Sequence, residues 1–132
     1  ATMRKLERDP VTAALARQGQ VVIDGLRQRI AALGADDFLS VSGHPAWSFL
    51  LIKDTQRYPM WHLKTLFMQE MLAQGILTFG THNMGYCHSD ADIAKLFAAY
   101  DHTLPMLVQS VRDGGLEQML KCAPLEPLFK VR

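Results

Sequence analysis

The run from Asp9 to Gly34 constrains this chain more than any other stretch. Val11, Leu15, Gln18, Val22, Leu26, Ile30 and Leu33 follow one another at three- and four-residue steps, giving one apolar stripe interrupted by a single Gln. Arg17, Arg27, Gln28 and Arg29 fall elsewhere on the helical wheel. Asp9 is the expected N-cap and Pro10 the first helical residue, where a missing N–H costs nothing. Gly34 supplies the stop. A long helix with one apolar face has to lay that face on a second layer of structure.

The next segments supply that layer. Phe38 to Ser42 alternates apolar and polar residues, the pattern of a half-buried strand, and Gly43-His44-Pro45 breaks it. Ala46 to Ile52 is a second strand rich in bulky side chains, close enough to the first to form a hairpin. After the polar linker Lys53 to Tyr58, Pro59 opens a helix whose apolar positions include Trp61, Leu63, Leu66, Phe67, Met71 and Leu72. Gly75 ends it, and Ile76 to Phe79 is the expected third strand. Ser89 and Asp92 have capping-box spacing. Ile93, Leu96, Phe97, Tyr100, Leu104, Leu107, Val108 and Val111 then hold helical period up to Gly114-Gly115, with a kink expected at Pro105. A short helical turn is expected between Leu116 and Lys121, and Pro124 and Pro127 keep the end extended. The order α-β-β-α-β-α predicts one α+β domain over residues 1–132, with a small antiparallel or mixed three-stranded sheet and helices packed on one face.

With 48% hydrophobic and 20% charged residues among 132, the composition is globular rather than disordered. A net charge of +1, with basic residues scattered, gives no basis for nucleic-acid or anionic-membrane binding. Apolar runs such as Phe49 to Ile52 are far too short to span a bilayer. Cys87 and Cys122, without a signal-like N-terminus, are expected to be reduced thiols in a cytoplasmic protein. The opening Ala-Thr-Met-Arg-Lys-Leu, close to a helix start, suggests a segment of something longer.

Between Gly75 and Ile93 lies a polar, Gly-bearing loop, the kind of place where a scaffold presents chemistry. His82, Cys87 and His88 are possible zinc ligands, but their spacing matches no closed zinc pattern and no His-Glu-x-x-His helix exists, so no metal is expected. Cys87 with His82 or His88 could form a thiolate-imidazolium pair, though no third, orienting group is visible. There is no Gly-x-Ser-x-Gly elbow, and Lys64-Thr65 lacks the glycines of a phosphate loop. His44, His62 and His102 read as turn or surface residues. Met68 and Met71 read as core filling, and Trp47 and Trp61 as anchors in the core or at a partner surface.

The element order, with Met68-Gln-Glu-Met-Leu-Ala-Gln-Gly-Ile76 and His88-Ser-Asp-Ala-Asp-Ile93, resembles the C-terminal small domain of class III pyridoxal-phosphate aminotransferases, in the style of glutamate-1-semialdehyde aminomutase. The resemblance runs to about Ser110. It implies an aspartate-aminotransferase-type small domain, docked on a large domain of the same enzyme in a homodimer. It also implies that the Schiff-base lysine, the aspartate facing the pyridine nitrogen and the phosphate-binding residues belong to that large domain. Pyridoxal phosphate is then a cofactor of the intact enzyme, not one bound by this segment alone, and no residue here is catalytic or cofactor-binding. Lys5, Lys53, Lys64, Lys95, Lys121 and Lys130 match no such lysine context. Aligning the aminomutase Gly-aromatic pair on Gly85-Tyr86 puts Asn83 where that group carries a glutamate, which keeps hydrogen bonding but loses charge. Other members grip a substrate carboxylate with a small-domain arginine, whereas residues 76–94 here contain neither Arg nor Lys. The resemblance thus points to Thr81, His82 and Asn83 as lining the substrate entrance. The competing readings are an independent α+β binding or interaction module and, more distantly, a small hydrolase built on Cys87. An apolar face left uncovered favours the small-domain reading over an independent module.

Overall fold

The structure is a computed structural model that describes residues 2–127. In chain order the elements are α1 (Thr2–Arg8), α2 (Val11–Leu33), β1 (Leu39–His44), β2 (Trp47–Ile52), α3 (Met60–Ala73), β3 (Thr81–Asn83), α4 (Asp90–Asp113) and α5 (Leu116–Met119).

The stripe on α2 is buried at Val22, Ile23, Leu26 and Ile30. Gly34 ends the helix in the left-handed conformation (φ 58°) and donates to the Ala31 carbonyl. Arg112 of α4 donates to the Leu33 and Gly34 carbonyls, satisfying acceptors the helix end leaves open. The start of α2 differs from expectation. A separate helix, α1, precedes it, and the Asp9 carboxylate turns back to Lys5 Nζ (2.7 Å) and Arg8 Nε (2.9 Å) instead of capping. Pro10 occupies the N-cap position and Val11 N–H bonds the Asp9 carbonyl. Two cations within reach outcompete the local N–H groups for that carboxylate.

β1 and β2 form an antiparallel hairpin with His44 opposite Trp47, so Pro45-Ala46 make the turn. β3 joins the far side of β2, giving the order β1-β2-β3, antiparallel throughout. It lies at Thr81–Asn83, not at Ile76 to Phe79. The Thr78 hydroxyl explains the shift: it accepts from Gly80 N–H (3.0 Å) and donates to the Thr81 carbonyl (3.3 Å), a local turn that competes with strand pairing. Gly80 has φ 88° and sits against the Leu50 carbonyl, where a side chain would be strained; its own carbonyl accepts from Leu50 N–H. Leu77, just ahead of this turn, and Phe79, within it, are 81% and 62% exposed.

The helices cover one face of the sheet. Leu39 and Leu50 point into a core shared with Leu26 and Ile30 of α2, Leu63, Leu66, Phe67 and Met71 of α3, and Tyr100, Leu104 and Leu107 of α4. Met68 packs at its margin, whereas Leu72, one of the apolar positions of α3, is 60% exposed. α3 begins at Met60, one residue after Pro59, and its first free N–H is taken by Asp54 Oδ1 at 2.7 Å. The Ser89 and Asp92 capping box opens α4, which contains Pro105 and continues to Asp113.

Candidate functional site

β3 is both the edge of the sheet and one wall of a cleft of about 500 Å³. The opposite wall is the first turns of α4, with Asp92, Ile93, Lys95 and Leu96, and residues 76–78 close one end. Thr81, His82 and Asn83 all contribute to its lining, as do Val22 and His88. Successive strand residues point to opposite faces, however, so the three do not act together. Thr81 and Asn83 lie opposite Phe49 and Trp47, on the helix-free face. His82 lies opposite Ser48 and turns into the core.

The His82 ring is held at both nitrogens. Nδ1 lies 3.0 Å from Ser48 Oγ and Nε2 lies 2.5 Å from the Tyr100 hydroxyl. Ser48 and Tyr100 are both fully buried. Burial lowers the imidazole pKa from its usual 6.5 to about 4, against a smaller opposing effect of hydrogen bonding to the Ser48 backbone, so the ring is neutral. Burial likewise pushes the Tyr100 phenol upward, keeping its proton in place. The Ser48-His82-Tyr100 chain anchors β3 to β2 and α4 and exposes no nucleophile.

The loop after β3 is ordered by short-range bonds. Gly85 N–H donates to His88 Nδ1 (3.1 Å), which directs the proton of a neutral ring to Nε2, and Gln18 Nε2 donates to the His88 carbonyl (2.6 Å). Cys87 is exposed. With His82 buried and His88 Nδ1 engaged, the thiol has no imidazole hydrogen bond among the described residues. No group of three or more His, Cys, Asp or Glu side chains converges there either. His102 faces Glu70 at 3.5 Å.

At the edge itself, Leu50 N–H bonds the Gly80 carbonyl and Met84 N–H bonds the Ala46 carbonyl. Antiparallel alternation therefore turns the N–H groups of Thr81 and Asn83 away from β2. Sequence reasoning missed Lys95. It lies one residue beyond the segment without cations, yet three residues after Asp92, a spacing that puts both on the same side of α4. That spacing was the available signal. The helix-free face carries Trp47 (56% exposed), Phe49 and Leu51 (44% exposed), with the Trp47 and Phe49 rings 5.1 Å apart.

No family model matches the sequence, and no curated protein matches it. A solved structure described as a transaminase with PLP bound is similar to this chain, with a TM-score of 0.64 and 17% identity over 76% of the chain. The chain spans 24% of that structure's length. The α+β layer thus has an aminotransferase-like fold. The described residues do not fit a pyridoxal-phosphate cradle by themselves. Lys5, Lys53, Lys95 and Lys121 are exposed and Lys64 is half-buried on α3, so none is enclosed as a cofactor-bearing lysine must be. No helix among the described residues is long and apolar enough to cross a membrane.

Proposed function

We propose that this chain is the C-terminal small domain of a pyridoxal-phosphate-dependent class III aminotransferase or glutamate-1-semialdehyde aminomutase-like enzyme acting on a small amino compound. The observation that carries the reading is an open cleft at the edge strand of an aminotransferase-like fold, walled by Thr81, His82 and Asn83. In this reading Thr81 and Asn83 border the substrate entrance, and His82 holds the strand from behind. The cofactor, which supplies the electron sink for amino-group chemistry, is carried by a large domain of the same enzyme. That domain covers Trp47, Phe49 and Leu51, the apolar row on the helix-free face of which Trp47 and Leu51 are exposed. The intact enzyme is a cytoplasmic homodimer, and this segment alone is inactive.

The test is steady-state kinetics on the intact enzyme carrying Thr81→Val and Asn83→Ala. A rise in KM or a fall in kcat/KM supports the assignment, whereas unmoved constants for both variants sink it. Mixing the isolated chain with pyridoxal phosphate should give only the spectrum of the free cofactor. A stable lysine adduct would contradict the division of labour.

A further inference from the structure

The two walls of the cleft, β3 and the first turns of α4, come from different parts of the fold. Among the described residues one side-chain hydrogen bond joins them, between His82 Nε2 and the Tyr100 hydroxyl. Tyr100 continues the α4 wall inward. It follows Leu96, a lining residue, by four positions and so lies on the same side of the helix, where that side enters the core. Its ring is fully buried and stacks on Phe67 of α3, with centroids 6.2 Å apart and planes 18° from parallel, so packing fixes where the hydroxyl sits. β3 is held less firmly by its own pairing. It has three residues, lies at the edge of the sheet, and antiparallel alternation gives the ladder His82 but neither Thr81 nor Asn83.

We propose that Tyr100 is a positioning residue for the substrate entrance: its bond to His82 sets the width of the cleft between β3 and α4 and, through His82, the placement of Thr81 and Asn83. The inference rests on the reading of the cleft as an entrance and names what holds its two walls at a fixed distance. His82 lies between the two entrance residues, and its ring is the one of the three directed into the core. A movement of that ring therefore shifts the backbone that carries both neighbours. Without the phenolic oxygen, Nε2 is left as an unpaired polar atom in the core, a costly state. The ring relieves that cost by turning toward the cleft it already borders, where water can pair it, and β3 moves away from α4 with it. Loss of this bond thus alters the site and not stability alone.

The experiment places a nitroxide on the α4 wall of the 132-residue chain, at Lys95→Cys in a Cys87→Ser, Cys122→Ser background, all three native side chains being exposed. Amide NMR then reads the distance from the label to Thr81, His82 and Asn83 as paramagnetic broadening. Tyr100→Phe should weaken that broadening. His82→Leu, which removes both ring bonds but keeps an apolar body in the core, should weaken it as much, and adding Tyr100→Phe to it should change nothing further. Ile30→Val is the control for lost stability, since Ile30 is buried in the core and does not line the cleft; it should keep the parent broadening. In the intact enzyme, Tyr100→Phe should raise KM for the amino substrate roughly tenfold with kcat little changed, and Ile30→Val should move neither. Unchanged broadening in Tyr100→Phe, an unmoved KM in Tyr100→Phe, or an equal rise in KM in Ile30→Val would each overturn the proposal. The broadening is read without substrate, so the control of cleft width can fail while the entrance reading stands on the kinetics of Thr81→Val and Asn83→Ala. Unmoved constants in those two variants would sink the entrance reading, and the positioning role with it.

Discussion

Tyr100 of α4 and His82 of β3 share a 2.5 Å hydrogen bond between the phenolic oxygen and Nε2, both side chains being buried, Tyr100 completely. With Ser48 on the other ring nitrogen, every polar atom of the imidazole is accounted for. The edge strand is thereby fastened to the helix that forms the far wall of the cleft. The geometry on which any ligand depends is set by three buried polar groups.

Stability should depend on pH through His82. The unfolded ring titrates near its usual 6.5, whereas the folded ring takes a proton only near pH 4. Above pH 6.5 both states are neutral and the full stability is present. Between 6.5 and about 4 only the unfolded state binds the proton, so stability falls with decreasing pH, by roughly 3 kcal/mol across the window, and this contribution levels off below it. Urea unfolding at several pH values checks this. His82→Gln should flatten the slope in that window, and an undiminished slope would assign the effect to another group.

Tyr100→Phe keeps the ring stacked 6.2 Å from Phe67 but removes the partner of Nε2. A buried imidazole nitrogen left unpaired costs about 1–3 kcal/mol, more than the net worth of the bond itself. Chemical denaturation should show that loss, together with faster exchange of the β3 amides. A variant as stable as the parent would mean that water reaches His82.

The helices were legible because their information is local. Val22, Leu26 and Ile30 repeat at helical period, Gly34 marks a stop, and Ser89 with Asp92 spells a capping box that forms as expected, Ser89 N–H to Asp92 Oδ2 at 2.8 Å. β3 was less so. Ile76 to Phe79 has the composition of a strand, but a single hydroxyl on Thr78 and the positive φ of Gly80 hold the chain in a turn until Thr81. The burial of His82 follows from pairing with Ser48, a relationship between residues 34 apart that no local pattern encodes. Lys95 enters the cleft for the same reason: its neighbours there come from α2, β3 and the end of α3.

Gly19 looks like a weak point in α2, since glycine is a poorer helix former than alanine by about 1 kcal/mol. The fold reverses that expectation. A Cβ at Gly19 would lie 1.6 Å from the Pro45 carbonyl oxygen, in the turn of the β1-β2 hairpin. Backbone at that distance cannot yield without moving the hairpin, so overpacking outweighs propensity. Gly19→Ala should destabilise by about 2 kcal/mol or more in urea unfolding. A stabilised variant would show that helix and hairpin are not in this contact.

Gln18 is the polar break in the α2 stripe, and a long-range hydrogen bond accounts for it. Its Nε2 donates to the His88 carbonyl at 2.6 Å, pinning the loop between β3 and α4. Its Oε1 is buried without a partner among the described residues. Gln18→Met therefore has two opposing effects of similar size. It removes one hydrogen bond, worth about 1 kcal/mol net, and it also removes an unsatisfied acceptor, which relieves a cost of about the same order. Global stability should change by less than about 1 kcal/mol, while the amides of residues 84–88 lose protection in hydrogen exchange. If protection of that loop were unchanged in Gln18→Met, the bond to His88 would not be what orders it.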